Sequence, residues 1–160
     1  MRDDIQKSLE IYKEQLNNGY IRAAYVTLTK YVAELKANFS KEYTTSSVAF
    51  GYLDYTYFYF TNDFLKNRNL KFAMVLNHKK LQVELWLAGR NIKAQEKYWH
   101  IMKDTSWNKG VERMPQYSIL EVVLEPYIDF SDKEKMTHNI IERSVSIALE
   151  IEEYLKSVSS

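Results

Sequence analysis

Glu84 is the residue with the most chemistry in its placement. It stands mid-run in Leu81-Gln82-Val83-Glu84-Leu85-Trp86-Leu87, where apolar and polar residues alternate. Alternation of that kind specifies a β-strand, and strand side chains point to opposite faces in turn. Gln82, Glu84 and Trp86 therefore share one face, and Arg90 follows just past the strand end. A carboxylate flanked by apolar residues must reach solvent or find a partner. Arg90, Lys71 and a tyrosine hydroxyl are the nearest candidates. Glu84 is also the one candidate for a catalytic carboxylate. In an earlier segment, Phe50 to Phe60, Tyr55, Tyr57 and Tyr59 fall on one face, with Phe58 and Phe60 on the other. If the two polar-tending faces coincide, the sheet carries tyrosine hydroxyls, Glu84, Gln82 and Trp86 together. That is an aromatic wall with a few polar contacts, suited to a small molecule. The alternative is that helices cover this face and the tyrosines are amphipathic core, with hydroxyls at the rim.

Charge supplies the second candidate. The chain has 22 Lys+Arg and 21 Asp+Glu, a formal net charge of +1. That balance hides a division. Residues 1–63 carry net −1, residues 64–113 carry 11 basic and 4 acidic groups, and residues 114–160 carry net −5. The basic segment also holds all three tryptophans, Trp86, Trp99 and Trp107. Cations interleaved with flat rings suit a nucleic acid or an acidic protein surface. The binding residues this points to are Tyr57, Trp86, Arg90, Lys93 and Trp99. The competing reading is a solvated face balanced by the acidic last helix through weak surface pairs. Within the same segment, Leu87-Ala88-Gly89-Arg90-Asn91 joins a strand end to a helix N-terminus. Free backbone N–H groups there favour an anion, with Arg90, Lys93 and Lys97 adding charge.

Other chemistry is excluded or unsupported. There is no cysteine, hence no disulfide, thiolate metal site or thiol nucleophile. The three histidines are His78, in a turn beside Lys79-Lys80 where exposure is expected, and His100 and His138 on helices. His138 has a carboxylate at i+4, Glu142, a pairing common by chance, so no metal and no cofactor are assigned. Neither a phosphate-loop, a dinucleotide fingerprint nor a nucleophile elbow is present. The acidic N-terminus lacks the apolar core of a signal peptide, and no apolar run spans a bilayer. A soluble cytoplasmic protein without membrane contact is expected.

The elements that must position these residues follow from periodicity. Ile5, Leu9, Tyr12 and Leu16, then Ile21, Ala24, Leu28, Tyr31/Val32, Leu35 and Phe39, recur at helical spacing on either side of Gly19. This predicts a helical hairpin over 2–39. From residue 50 the period becomes two. Strands are expected over 50–60, 70–76, 81–87 and 119–124, the middle pair forming a hairpin at His78-Lys79. Asn91 caps a helix through Met102, and Ser131 with Glu134 forms a capping box for a long last helix to Leu155. The order is α-α-β-β-β-α-β-α. The fold class is α+β, one domain over 1–160, with an antiparallel-led sheet of about four strands.

That order, with a glutamate in the third strand, resembles the core of restriction-endonuclease-like nucleases. Those enzymes hold a metal with an aspartate on the second strand and a Glu-x-Lys on the third. Glu84 matches the carboxylate, Trp86 stands at the lysine position, and the second strand has no aspartate; Asp54 and Asp63 lie earlier. The resemblance implies a degenerate or variant metal-dependent nuclease centred on Glu84. The stretch Leu70 to Trp99, especially Leu85-Trp86-Leu87-Ala88-Gly89-Arg90-Asn91, is also similar to a bacterial family of small proteins of unknown function. Together the residues point to a non-enzymatic binding domain whose basic, tryptophan-bearing surface takes an anionic partner. The nuclease and the small-molecule pocket are the alternatives.

Overall fold

The computed structural model describes residues 2–158. Its elements run α1 (Arg2–Asn18), α2 (Tyr20–Ala37), β1 (Thr44–Thr45), β2 (Ala49–Phe50), β3 (Tyr55–Thr61), α3 (Asp63–Lys66), β4 (Leu70–Asn77), β5 (Gln82–Gly89), α4 (Ile92–Met102), β6 (Leu120–Glu125) and α5 (Lys133–Val158). The class is α+β, as the periodicity predicts. All strand pairings are antiparallel, in the order β1-β3-β4-β5-β6, with β2 also on β3.

The sheet has six strands rather than four. The segment from Phe50 to Phe60 is not one strand, because Asp54 folds it back. The Asp54 carboxylate accepts hydrogen bonds from the backbone N–H groups of Tyr52 (2.8 Å) and Tyr55 (2.7 Å). Leu53 adopts φ 62°, and β2 then pairs with β3 as a tight hairpin, Ala49 opposite Tyr57. Between β3 and β4 the chain inserts α3, whose N-terminus is capped by Asn62 accepting from the Leu65 N–H. Leu81 belongs to the β4–β5 turn at φ 48° and not to the strand.

Asn91 caps α4 as expected, its side chain accepting from the Ala94 N–H at 2.8 Å. The cap of α5 is one residue later than the expected Ser131. Asp132 accepts from the Lys135 N–H, while Ser131 donates its own N–H to Asp129 in the preceding 3-10 turn.

Strand alternation divides the sheet into two unlike faces. On one, Phe58, Phe60, Phe72, Met74, Leu76, Val83, Leu85 and Leu87 pack with Leu28, Tyr31, Val32 and Leu35 of α2, Tyr98 and Met102 of α4, and Ile140, Ala148, Ile151 and Leu155 of α5. This is the main core. The other face carries a separate small cluster, Ala73, Val75 and Trp86, edged by Tyr55, Tyr57 and Tyr59. Helix α1 stays outside both. Its apolar stripe, Ile5, Leu9, Tyr12 and Leu16, is exposed.

Candidate functional site

The second sheet face is a four-strand grid read directly from the register. Across β3, β4 and β5, Tyr55 faces Asn77 and Gln82; Tyr57 faces Val75 and Glu84; Tyr59 faces Ala73 and Trp86; and Lys71 lies opposite Ala88. On β6, Val123 and Glu121 continue the second and third rows. The grid is large at its edges and small in its middle, so it is concave. Ala73, Val75 and Ala88 form the floor of a cavity of about 420 Å³. Tyr55, Tyr57, Tyr59 and Trp86 wall it, and the Phe50–Asp54 turn and Tyr117 form the rim.

Of the two readings open for this face, the helical cover is not what forms; the helices are on the opposite side. The rings nevertheless order one another. Tyr55 meets Trp86 edge-on at 5.0 Å between centroids, and Tyr57 meets Tyr59 edge-on at 5.3 Å. Burial and the neighbouring Tyr57 hydroxyl push the Tyr59 hydroxyl up to about 12. Burial, then the carboxylates of Glu121, Glu84 and Asp54, push Tyr55 up from its ordinary value. At neutral pH both hydroxyls are protonated and able to donate.

Glu84 lies beneath this wall at 4% exposure, and its partners are not those expected. Its Oε2 accepts from the side-chain amides of Asn77 (2.9 Å) and Gln82 (2.7 Å), and its Oε1 from the Trp86 indole N–H (2.8 Å). No cation is involved. Lys71 lies two rows away, its Nζ 3.6 Å from the centroid of the Tyr59 ring. Each Glu84 oxygen is held by a fixed donor, and Trp86, at the position a nuclease would give to lysine, is one of those donors. Among the described residues no group of three His, Asp or Glu could hold a metal ion. The carboxylate thus ties Trp86 to the side-chain amides of Asn77 and Gln82.

The other singled-out residues divide. Tyr57 and Trp86 meet at the cavity. Arg90 is exposed just past the end of β5, on the sequence parity of Ala88, and its charge reaches Lys71. Lys93 lines a shallow depression at that same end of the sheet, with Arg68 and Lys97. Trp99 is buried at 8% exposure, and Trp107 packs against the main core edge-on to Tyr154. So the three tryptophans do not form one surface. Gly89 has a packing explanation: a Cβ there would lie 2.5 Å from the Gln95 backbone nitrogen. None of the 11 cations of residues 64–113 is within ion-pair distance of a carboxylate among the described residues; the ion pairs formed there are Lys133–Glu34, His138–Glu142 and Lys156–Glu153. The acidic last helix does not neutralise the basic segment by direct contact.

Two functional-looking groups escaped the sequence reading. His78 is half-buried, not exposed: it stacks on Tyr25 of α2 at 5.4 Å and its Nε2 lies 2.7 Å from the Thr56 hydroxyl. Glu152 of α5 is buried and accepts from the Tyr43 hydroxyl (2.8 Å) and the Asn62 amide (2.5 Å). Partners more than 80 residues apart in sequence leave no local pattern to find.

Comparison with known proteins places the chain by family. Residues 5–155 match the model of a domain of unknown function, DUF7000. The chain belongs to that family. No curated protein and no solved structure matches it. No helix of the described residues is long and apolar enough to cross a membrane.

Proposed function

We propose that this DUF7000 domain binds a small planar molecule in the aromatic cavity of its helix-free sheet face. The observation that carries the reading is the pattern of side-chain size on that face. Alanine and valine occupy the centre of the grid, and tyrosine and tryptophan surround them. The cavity volume falls within the range of small-molecule sites, about 300–1,000 Å³. Rings fixed by one another and by the Glu84–Trp86 hydrogen bond need little ordering on binding, which removes part of the usual entropic cost. Tyrosine hydroxyls around apolar floor residues orient a ligand by hydrogen bonding, and binding is the role this reading gives the site.

Naphthylmethanol is a suitable neutral probe. Its 12 heavy atoms, at roughly 0.4 kcal/mol each, give a Kd of about 0.3 mM. Saturable displacement of the Trp86 indole N–H resonance is the expected result. Ala73→Leu and Ala88→Leu, each filling the floor, should abolish it while leaving the fold intact by circular dichroism. No displacement in the parent protein, or equal displacement in both filled variants, would end this reading.

A second reading is a nucleic acid on the basic end of the sheet, supported by the cations without ion pairs. The burial of Trp99 and the packing of Trp107 against the main core remove two of its three stacking platforms. It predicts single-stranded DNA binding that weakens linearly in log Kd against log salt; absence of binding at low salt refutes it.

A further inference from the structure

We infer that the molecule bound in the aromatic cavity carries an anionic group, a carboxylate or phosphate, held at the Lys71–Arg90 end of the grid. This rests on the pocket reading above and specifies its ligand class. Lys71 sits on the pocket face opposite Ala88, a floor residue, and half of it is buried. Its Nζ rests over Tyr59, a wall residue, at 3.6 Å from the ring centroid. A half-buried ammonium is ordinarily matched by a carboxylate, because removing its water is costly. Here no carboxylate lies within ion-pair distance, and the charge that reaches it is a second cation, Arg90. Burial, and then Arg90, hold the Lys71 ammonium below its ordinary pKa, the direction of a site short of negative charge.

The rest of the grid gives the ligand a direction. At the far end the carboxylates of Glu121, Glu84 and Asp54 all reach Tyr55, and Lys80 in turn reaches Glu121. Ring-walled space thus runs from an end with three carboxylates, one of them met by Lys80, to an end where Lys71 and Arg90 meet no carboxylate among the described residues. An anionic substituent on a planar ring is repelled from the Tyr55 end and drawn to Lys71 and Arg90. A neutral ring gains only the walls. A cationic ring would have to place its charge beside the carboxylates, in the reverse orientation.

The test compares three probes of one shape: naphthoate, naphthylmethanol and naphthylmethylamine, each titrated into the full chain at low salt. Naphthoate is expected to bind about tenfold more tightly than the alcohol, the preference shrinking as salt is added. In Lys71→Gln and Arg90→Gln the ratio of the two affinities should fall toward one, and in Lys109→Gln, an exposed cation elsewhere, it should stay as in the parent. Equal binding of naphthoate and the alcohol overturns the anion but leaves the pocket standing. A preference that survives both charge removals also overturns it, as does tighter binding of the amine. If none of the three binds, the pocket reading falls and the inference with it.

Discussion

Replacing Glu84 by glutamine tests the central device of the site, because it keeps the shape and changes only what the group can accept. The carboxylate receives three donors, from Asn77, Gln82 and Trp86, at 2.7–2.9 Å. A glutamine amide has one oxygen. If that oxygen takes the place of Oε2, it keeps Asn77 and Gln82, and the amide nitrogen is turned toward the Trp86 indole N–H. Two donors then face each other beneath a ring that is 8% exposed. Leaving a buried donor unmet costs about 1–3 kcal/mol. Two charge-assisted bonds also become neutral ones, losing roughly 1 kcal/mol each. Against this, an uncompensated buried charge is removed, which returns part of its desolvation cost. The net expectation is a loss of about 2 kcal/mol, or about 4–8 °C in Tm for a chain of this size. Urea unfolding followed by circular dichroism measures it. Trp86→Phe in the two backgrounds then completes a cycle, and coupling of about 1 kcal/mol is expected for groups in direct contact. A Glu84→Gln protein within roughly 0.5 kcal/mol of the parent, with no coupling to Trp86, would refute the account, that being the ordinary scatter of neutral substitutions.

Three further outcomes follow from geometry. Burial holds the His78 imidazole below its ordinary pKa, so the unfolded chain binds that proton more strongly than the folded one. Stability is then full above about pH 6.5 and falls as pH drops through that value toward the lowered folded one, and His78→Gln should flatten the difference between urea midpoints at about pH 7.5 and 5.5. Tyr43→Phe removes the hydroxyl that Glu152 accepts from and should cost about 1.5–3 kcal/mol by urea unfolding, the value of a bond to a charged group; an unchanged midpoint would show that the Asn62 amide alone suffices. Gly89→Ala drives a Cβ into the Gln95 backbone, which cannot rotate away, and should lower Tm by an amount matching about 1–3 kcal/mol of overpacking; a neutral result would mean the β5–α4 junction yields.

Period two over 70–87 was enough to read β4, β5 and their hairpin, and with them the face shared by Gln82, Glu84 and Trp86. The Asn91 cap and the Gly19 break were equally legible, because each is decided within a few residues. Asp54 was not. Seen as one polar residue in an aromatic strand, it becomes a hairpin only when its carboxylate captures two backbone N–H groups. Glu84 was placed on the right face but given the wrong partners. Amide donors on adjacent strands carry no charge signal, so Arg90 and Lys71 looked the better match. His78 beside two lysines reads as solvent-exposed, and only the packing of α2 puts Tyr25 over it. The concavity itself depends on register, which sets Ala73 between Tyr59 and Trp86.

The two buried carboxylates explain why a nearly neutral chain keeps such an uneven surface. Glu84 and Glu152 are each 4% exposed, yet each is met by amide, phenol or indole donors and neither by a cation. Neutral donors, on strands β4 and β5 for Glu84 and beside β1 and β3 for Glu152, satisfy a carboxylate at small entropic cost, whereas a lysine brought inside would lose both water and rotamer freedom. The consequence is that, among the described residues, none of the cations of residues 64–113 forms an ion pair. Surface pairs with the acidic helix would return little to stability, since exposed pairs contribute about 0–1 kcal/mol. The positive charge gathered at the end of β4 and β5 meets rings and a backbone carbonyl instead, Lys71 over Tyr59 and Arg68 over Phe64 and on the Phe64 carbonyl. It stands at one end of the aromatic cavity, where the anionic group of the proposed ligand would sit.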